Sequence, residues 1–439
     1  MSAGLPRLAV LYEMGAASPW EISAGLAGLA EVIFAVPRTG SVAGVLPLLE
    51  ELGTLLSLTG DPVTDSASLR RLGAAGIVSY SESMLRDAAS IAAEAGLPYE
   101  STQVAVNLTN KFIQRKLLRE AGIDEVRSHP LWSAADWPAA AQAVRLPAVL
   151  KPARGAASFN TNVITTAGQA ERIVPAAFAA SAGHARADGE PVLVLEEFLP
   201  GRPSEPYGDY VSVECLSGAG GTTAFAITGK LPMLPPFREC GHFWPSQLPA
   251  AEQAQIRDLA AGAVRALGVR RGLAHVEIKL TAAGPRIIEV NGRLGGWTNR
   301  LSIASTGTDL VRLAARLALG EDVTPPVPDP GKVHFIYDFV APIEPCVLEG
   351  MHGRREVLGI PEVAGCQVFY RIGDRLPGGI RTNDLALIWG TAATHDAMIS
   401  AIEQVGQSLA VDLRFAGGVR QLTAAALRQE ATAYLGTGG

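Results

Sequence analysis

The chain is poor in the features that mark disulfide-rich, membrane and nucleic-acid-binding proteins. It has only four cysteines, widely spaced and without a CxxC pair, which argues against a zinc site or a disulfide framework. The formal net charge is -6 and no basic run occurs, so charge gives no case for a nucleic-acid partner. No apolar run approaches the length that crosses a bilayer. The first residues resemble no signal peptide. We therefore expect a cytoplasmic protein with neither nucleic-acid nor membrane partners.

The composition is that of a globular protein, and the length predicts two to three domains. Hydrophobic residues make up 48% of the 439 positions and charged residues 18%. Short apolar runs at 8–12, 32–36 and 77–80 alternate with helical stretches such as 41–58, the pattern of parallel strands with crossovers. This pattern predicts a Rossmann-like N-terminal domain over residues 1–106. The domain lacks GxGxxG, so a dinucleotide fingerprint is absent.

The stretch 273–297 predicts two strands folded back on each other. A three-residue turn of Ala282, Ala283 and Gly284, centred on Ala283, would place Glu277 opposite Glu289 and His275 opposite Asn291. Strand alternation then assigns one face to His275, Glu277, Lys279, Glu289 and Asn291, and the other to Val276, Ile278, Leu280, Ile288 and Val290. Facing carboxylates repel, so two of them with an amide favour a hard cation such as Mg2+ between them. A solvated surface hairpin is the alternative.

A basic, glycine-rich segment follows this hairpin. Arg293 beside a dication is suited to holding phosphoryl or carboxylate oxygens, and glycines such as Gly295 and Gly296 allow close approach of backbone to a ligand. The run HVEIKLTAAGPRIIEVNGRLGG resembles the metal-binding core of the ATP-grasp superfamily. The resemblance implies an ATP-grasp fold of mixed α/β and α+β type. It also implies ATP and two Mg2+ ions, with Mn2+ as an alternative ion, held by Glu277, Glu289 and Asn291.

Two lysines occupy positions that are unfavourable for a cation unless an anion binds there. Lys111 lies in the first turn of a helix that Thr109 or Asn110 can cap, where the helix dipole disfavours a cation. Lys151 ends the buried strand 148–152, where a lysine is costly unless it is paired. An ordinary surface lysine is the alternative for Lys111. Both positions resemble the ATP-phosphate lysines of the family.

Further segments resemble the nucleotide contacts of the family. Residues 154–162, with Arg154 and Ser158, form a small-residue loop whose amides can cradle phosphate, although the usual GSxGV ending is replaced by SFNTNV. Residues 192–201 resemble the adenine hinge, with Glu196, Glu197, Phe198 and Leu199. Asp209 is the candidate for the ribose hydroxyls and Glu205 its competitor.

The segment 232–249 is rich in proline and aromatic residues, as is typical of an ordered loop over a cleft. Glu239 and His242 lie three residues apart in it, and a satisfied loop histidine is the plain interpretation. The pair resembles the E-x-x-H of the L-amino-acid ligase branch, where it handles the substrate amino group and the reaction centre. That branch also has an Arg followed four residues later by Trp at the substrate pocket, which Arg293 and Trp297 match, with Gly295 and Gly296 between them.

The remaining segments complete a three-part organisation. Residues 107–322 are predicted to form the ATP-grasp region, with a lid at 147–200, and 333–439 an α+β appendage. We expect helices at 250–267, 302–320, 395–410 and 422–434, and strands at 333–341, 367–372 and 385–389. Thr394 is the expected cap of the third helix, and a proline-rich linker spans 323–332.

The resemblance implies an ATP-dependent carboxylate–amine ligase. It would join an amino acid to the amine of an amino acid or peptide through an acyl phosphate, releasing ADP and phosphate. Arg293 would stabilise the oxyanion, and His242 or a nearby carboxylate would receive the amine proton. Alternatives are a carboxylase or formyl-phosphate enzyme of purine or biotin metabolism, although no biotin-accepting lysine is visible, and a regulatory ATP-binding protein. A homodimer is a further expectation.

Overall fold

The computed structural model describes residues 4–38, 40–155, 158–182, 189–379 and 382–433. Within these ranges the strands form four sheets, three of four strands and one of eight. None of the described helices combines the length and apolar character needed to span a bilayer.

The N-terminal unit is a parallel sheet flanked by helices, as the alternating pattern predicts. Its strands are β1 (Arg7–Leu11), β2 (Glu31–Val36), β3 (Thr54–Ser57) and β4 (Ala74–Val78), in the order β3-β2-β1-β4. Its helices are α1 (Pro19–Leu26), α2 (Leu46–Leu52), α3 (Pro62–Arg71) and α4 (Leu85–Ala95). The helix expected over 41–58 is wrong in extent, because Gly53 ends α2 and the next residues pair as β3 beside β2.

Two helices lead into a small antiparallel sheet. They are α5 (Thr102–Thr109) and α6 (Lys111–Glu120). The sheet contains β5 (Ser128–Leu131), β6 (Ala148–Pro152), β7 (Asn162–Ile164) and β8 (Leu193–Glu197), in the order β5-β8-β6-β7, packed with α7 (Trp137–Val144) and α8 (Ala167–Ser181). Since β5 pairs with β8, this unit begins earlier than the lid boundary at 147 predicted from the sequence.

The remaining strands are divided between a central sheet and a C-terminal one. They are β9 (Tyr210–Gly218), β10 (Gly221–Lys230), β11 (Gly241–Trp244), β12 (Gly272–Thr281), β13 (Gly284–Asn291), β14 (Val333–Val340), β15 (Cys346–His352), β16 (Val363–Val368), β17 (Arg375–Leu376), β18 (Asp384–Ala392), β19 (Ala410–Phe415) and β20 (Gly418–Thr423). The central sheet has the order β13-β12-β9-β10-β11-β14-β18-β16. The segment expected to be a loop at 232–249 therefore contains a buried strand, β11, that joins the two halves of this sheet.

The C-terminal region is not a separate appendage. Strands β14, β16 and β18 extend the central sheet. The strand predicted at 385–389 lies inside β18, but the one predicted at 367–372 is wrong in extent, because it overlaps β16 only at residues 367 and 368. The other four strands form the sheet β17-β15-β19-β20. Helices α12 (Arg354–Leu358), α13 (His395–Ser408) and α14 (Ala424–Ala433) complete the region, and Thr394 caps α13 as expected. Residue 434, the predicted end of the last helix, lies outside the described residues.

Helix α9 (Ala250–Ala266) matches its predicted range, but the helix expected over 302–320 is two helices. They are α10 (Thr298–Thr306) and α11 (Leu310–Ala318). Gly307 ends the first with a left-handed φ of 71°, and Asp309 caps the second by accepting from Val311 N at 2.8 Å.

The β12–β13 hairpin has the predicted pairing at its far end and a different one at its turn. Thr281 pairs with Gly284, so the turn has two residues rather than three. A bulge beyond Ile287 adds the missing residue, and Glu277 then faces Glu289 and His275 faces Asn291 as predicted. Because of the bulge, Ile287 and not Ile288 enters the core, and Ile288 lines a cleft.

Candidate active site

A cleft of about 1390 Å³ opens between the small antiparallel sheet and one face of the central sheet. That volume exceeds an ordinary ligand pocket and would hold a nucleotide with further substrates. The predicted site residues that line it are Lys111, Lys151, Ser158, Glu196, Glu197, Phe198, Leu199, Asp209, Glu239, Glu277, Glu289, Asn291 and Arg293. The competitor Glu205 lines it too. Arg154, His242, Gly295, Gly296 and Trp297 are not among the described residues of its wall.

The predicted metal ligands lie at one end of this cleft, which we call the phosphate end. Glu277 and Glu289 face each other across the hairpin, and Asn291 Nδ2 is 3.5 Å from Glu277 Oε1. Burial and the neighbouring Glu289 raise the pKa of Glu277. No group of three or more described His, Cys, Asp or Glu side chains converges as a metal cage. Two oxygen-rich carboxylates with an amide suit Mg2+ that shares its other positions with phosphate and water.

Lys111 contacts both the β12–β13 hairpin and the small-residue loop at 154–162. Asn110 caps its helix by accepting from Phe112 N and Ile113 N at 3.1 and 3.2 Å, which decides between the two predicted caps. The Lys111 ammonium lies 2.8 Å from Glu289 Oε1 and donates to Gly155 O at 2.6 Å. It therefore already neutralises part of the negative charge at the hairpin.

Lys151 has a protein partner where the sequence suggested a phosphate. Its Nζ is 2.8 Å from Glu196 Oε2, and the same carboxylate receives two hydrogen bonds from Arg115, at 3.0 and 2.9 Å. Burial alone would raise the pKa of Glu196, but Arg115 and Lys151 lower it to about 2. Arg115 also donates to the carbonyls of Ile287 and Ile288, so this buried triad ties α6 and β8 to the hairpin.

The residues predicted to bind adenine and ribose line the same cleft, and several of them already contact other protein groups. Glu197 pairs with Arg127 at 3.1 Å, and Phe198 N donates to Pro147 O at 3.3 Å. Asp209 Oδ2 lies 2.7 Å from Lys279 Nζ. A ribose at Asp209 would therefore bind a carboxylate that Lys279 keeps in place.

The small-residue loop at 154–162 is described only at its two ends. Ala156 and Ala157 lie outside the described residues. Ser158 has a left-handed φ of 54°, and its Oγ donates to Phe237 O at 3.3 Å. Arg154 Nη1 lies 4.0 Å from Glu190 Oε2. The loop thus connects the small sheet to the segment before β11.

A neighbouring part of the cleft, which we call the amino end, contains the predicted Glu239–His242 pair. Lys230, which sequence reasoning missed, lies between them, with Nζ 2.7 Å from Glu239 Oε1 and 2.8 Å from His242 Nδ1. The Tyr210 hydroxyl donates to Glu239 Oε1 at 3.3 Å, and His242 Nε2 is 3.4 Å from Asp338 Oδ2. Strand β11 buries His242 behind Glu239, which lines the cleft.

The charges at the amino end are set by burial and by Lys230. Burial would raise the pKa of Glu239, but Lys230 lowers it well below its usual range. Burial and then Lys230 lower the pKa of His242 to about 3, so the imidazole is neutral at ordinary pH. Burial and the neighbouring Glu239 raise the pKa of Asp338 to about 8.

Arg293 lies beside a second acid that the sequence did not single out. Its Nε is 3.4 Å from Glu82 Oε2, and its Nη2 donates to Asn291 Oδ1 at 3.5 Å. Glu82 follows β4 in the N-terminal unit, and within the described residues neither of its buried oxygens has a hydrogen-bond partner. Burial raises its pKa to about 7, although Arg293 opposes this. The N-terminal unit thus contributes a carboxyl group to the site.

The residues after Arg293 form the support of the site rather than its wall. Gly295 N donates to Glu214 Oε2 at 3.3 Å, and Glu214 Oε1 lies 2.5 Å from His275 Nδ1. Trp297 adopts a left-handed φ of 62° and stacks on Phe369 at 6.0 Å between ring centroids. The predicted substrate pocket at Trp297 remains a prediction.

Among the missed residues, Lys230 carried a signal in the sequence. Lys230 ends an apolar strand, as Lys151 does. Because burying an unpaired lysine is costly, the sequence already indicated that Lys230 has a partner. Arg115 lies on α6 with Lys111, and its sequence context suggested no role. Glu82 and Asp338 could not have been found, because they reach the site only through the packing of distant segments.

The comparisons with known proteins agree with this geometry. A family model described as an ATP-grasp domain matches residues 144–300, which span β6 to β13. The chain contains an ATP-grasp domain. In this ATP-grasp domain the facing carboxylates of the hairpin and Lys151 lie on opposite walls of one cleft.

Two curated relatives of this chain are named as a synthase and a ligase. Carnosine synthase 1 from Gallus gallus is 34% identical over 200 residues, which are 43% of this chain and 20% of that protein. Alanine--anticapsin ligase from Bacillus subtilis (strain 168) is 29% identical over 266 residues, 58% of this chain and 56% of that protein. The chain thus spans between a fifth and just over half of the length of these relatives.

Solved structures share the fold over nearly the whole chain. An L-amino acid ligase from Bacillus licheniformis superposes with a TM-score of 0.74 at 22% identity, covering 92% of this chain and 98% of that one. Phosphoribosylglycinamide synthetase from Anaerococcus prevotii gives 0.66 at 14% identity, covering 93% and 99%. The fold is therefore the ATP-grasp fold, including the N-terminal unit and the C-terminal strands.

Proposed function

We propose that the protein is an ATP-dependent ligase that joins the carboxyl group of an amino acid to the amine of a second amino acid or peptide. The observation that carries the proposal is the shared cleft. Acids and lysines suited to a metal and phosphates line one part of it, and a single ionised carboxylate, Glu239, lines a neighbouring part. A nucleotide-binding regulator would need only the acids and lysines for metal and phosphates, and not Glu239.

At the phosphate end, Lys111 and Lys151 would contact phosphate oxygens, with Asp209 or Glu205 at the ribose. Glu277, Glu289 and Asn291 would hold one or two Mg2+ or Mn2+ ions, because their oxygens fit such ions and because burial and then the facing Glu289 raise the pKa of Glu277, which a bound cation would offset. When bound, the metal would neutralise phosphate charge during transfer. Lys111 would then exchange part of its contact with Glu289 for phosphate.

The bond changes follow from this placement. A substrate carboxylate oxygen forms a bond to the γ-phosphorus while the bond to ADP breaks, which gives an acyl phosphate. An uncharged amine then attacks the acyl carbon, and phosphate leaves after a tetrahedral stage. Arg293, with Nε and Nη2 oriented by Glu82 and Asn291, is placed to stabilise the oxyanion. The amine loses one proton when the amide forms.

The relatives support a ligase over other ATP-grasp chemistries. One of them is named as a ligase of alanine and anticapsin, and another as a carnosine synthase. The L-amino acid ligase has the same fold across the chain. No specific observation favours a carboxylase.

The test is a screen of amino acids and short peptides for phosphate release from ATP. We expect release that depends on both an amino acid and a divalent cation, with a product whose mass equals the two substrates minus water. ATP turnover that does not depend on added amino acids would refute the ligase proposal. ATP binding without turnover for every compound in the screen would also refute it.

A further inference from the structure

Lys230 is an enclosed cation of the amino end, and the proposed reaction gives it no role. Its side chain is 2% exposed. Strand pairing places it directly opposite His242, because β10 and β11 are antiparallel neighbours with Lys230 and His242 in register. The contact between them is therefore set by the backbone of the central sheet.

The contact decides which nitrogen of His242 carries the proton. An ammonium group donates three hydrogen bonds and accepts none. Lys230 Nζ lies 2.8 Å from His242 Nδ1, so Nδ1 must accept and the hydrogen of the neutral ring must be on Nε2. Nε2 in turn lies 3.4 Å from Asp338 Oδ2, an acceptor for that hydrogen. In this arrangement His242 offers a donor at Nε2 and has no free position for an incoming proton.

The same ammonium makes Glu239 asymmetric. Oε1 is occupied by Lys230 at 2.7 Å and by the Tyr210 hydroxyl at 3.3 Å. Oε2 lies 4.0 Å from His242 Nε2, which is outside hydrogen-bond range. The side chain is 39% exposed and lines the cleft. One oxygen is therefore locked into the protein, and the carboxylate keeps its charge for a ligand in the cleft.

We infer that Lys230 is a positioning residue of the proposed ligase, which holds Glu239 as the acceptor for the ammonium of an amino-acid substrate and fixes His242 as an Nε2–H donor. The inference rests on the proposed function for its substrate, but its statement about His242 does not. It removes His242 as the group that receives the amine proton.

The kinetic test compares the protein with its Lys230→Met variant, which keeps the length of the side chain and removes the charge. We expect the KM for the amino acid to rise about 10- to 100-fold, the range of a lost charge-assisted hydrogen bond, while the KM for ATP changes less than about threefold. The matched control is Lys116→Met, because Lys116 is an exposed lysine on α6.

A second readout separates positioning from general damage. The protein should prefer an amino acid over the same carboxylic acid without its amino group, and Lys230→Met should lose most of that preference. A merely structural defect would slow both acids equally. An unchanged preference in a folded Lys230→Met variant, or equal losses for the two acids, would overturn the inference.

The tautomer can be measured without activity or a variant. Nitrogen-15 spectra of histidine-labelled protein, with His242 assigned by its loss in His242→Asn, should show a neutral ring protonated at Nε2 near pH 7. A ring protonated at Nδ1, or a charged ring, would overturn the inference even if Lys230→Met does not fold. Absence of amino-acid-dependent phosphate release in the unaltered protein would instead refute the proposed function and leave this measurement standing.

Discussion

The two ends of the cleft use the same pairing, a buried lysine against a carboxylate, for different purposes. At the phosphate end Lys111 pairs with Glu289, while the facing Glu277 has no cation at hydrogen-bond distance among the described residues and its pKa is raised. At the amino end Lys230 satisfies both Glu239 and His242, and the pKa of Glu239 is lowered. Within the described part of the chain, Glu277 at the first end therefore lacks a cationic partner at hydrogen-bond distance, whereas Glu239 at the second has one.

The difference indicates which ligand each end is suited to bind. A carboxylate pair short of positive charge gains from a divalent cation, and the metal in turn attracts phosphates. A balanced, prearranged carboxylate binds one ammonium group without rearranging its neighbours, which lowers the cost of binding. Substitutions that disturb one end should therefore change metal and nucleotide dependence, and those at the other should change amino-acid selection.

The largest effect is expected from Glu289→Ala. The change removes one of the two facing carboxylates and the partner of Lys111, so ATP-dependent turnover should fall by at least about 1000-fold because charge neutralisation supplies most of the phosphoryl transfer. Amino-acid-dependent phosphate release measures it, and circular dichroism checks the fold. Glu120→Ala on the exposed face of α6 is the matched control, and an active Glu289→Ala protein would refute the metal assignment.

Arg115→Met should lower stability more than any single change at the amino end. The variant leaves Glu196 buried with Lys151 as its remaining partner and removes the bonds to the Ile287 and Ile288 carbonyls. Breaking a buried ionic group of this kind costs about 3–5 kcal/mol of unfolding free energy. Urea unfolding of this variant and of Lys116→Met would measure the difference, and a loss below about 1 kcal/mol would show that the triad is not structural.

The phosphate end could be predicted from the sequence because its chemistry lies in continuous segments. Glu277 and Glu289 are connected by one hairpin, and even a wrong turn length left their pairing intact because a bulge compensates for it. Lys111 and Lys151 were found because a helix start and a buried strand end restrict a cation locally. The alternating pattern likewise predicted the parallel N-terminal sheet.

The amino end depends on contacts that no local pattern encodes. Strand β11 lies within a proline-rich segment, and its pairing with β10 and β14 is what brings His242 between Lys230 and Asp338. The role of the C-terminal strands in the central sheet was missed for the same reason, since strand neighbours distant in sequence cannot be read from periodicity. Glu82 reaches Arg293 only because the N-terminal unit packs against the central sheet.

Gly295→Ala should loosen the support of the β12–β13 hairpin at the phosphate end. A Cβ at this position would lie 2.3 Å from His275 Nδ1, and the ring is held by Glu214. Such overpacking costs about 1–3 kcal/mol of stability, and activity should fall with it. Gly296→Ala is the matched control, because a Cβ there meets nothing within 4 Å. Thermal unfolding of both variants measures the effect, and equal stabilities would contradict the predicted packing at His275.

Asp338→Asn should change how stability depends on pH. Burial raises the pKa of Asp338 to about 8, so the folded chain keeps a proton that the unfolded chain loses at a pH of about 4. Between these values stability falls as the pH rises, by up to about 1.4 kcal/mol per pH unit. An amide does not ionise, so the variant should gain stability relative to the unaltered protein from pH 5 to pH 8. Urea unfolding across this range, with the exposed Asp258→Asn as control, measures the slopes. Parallel curves would mean that the buried carboxyl is already ionised and that the amino end carries a net negative charge after all.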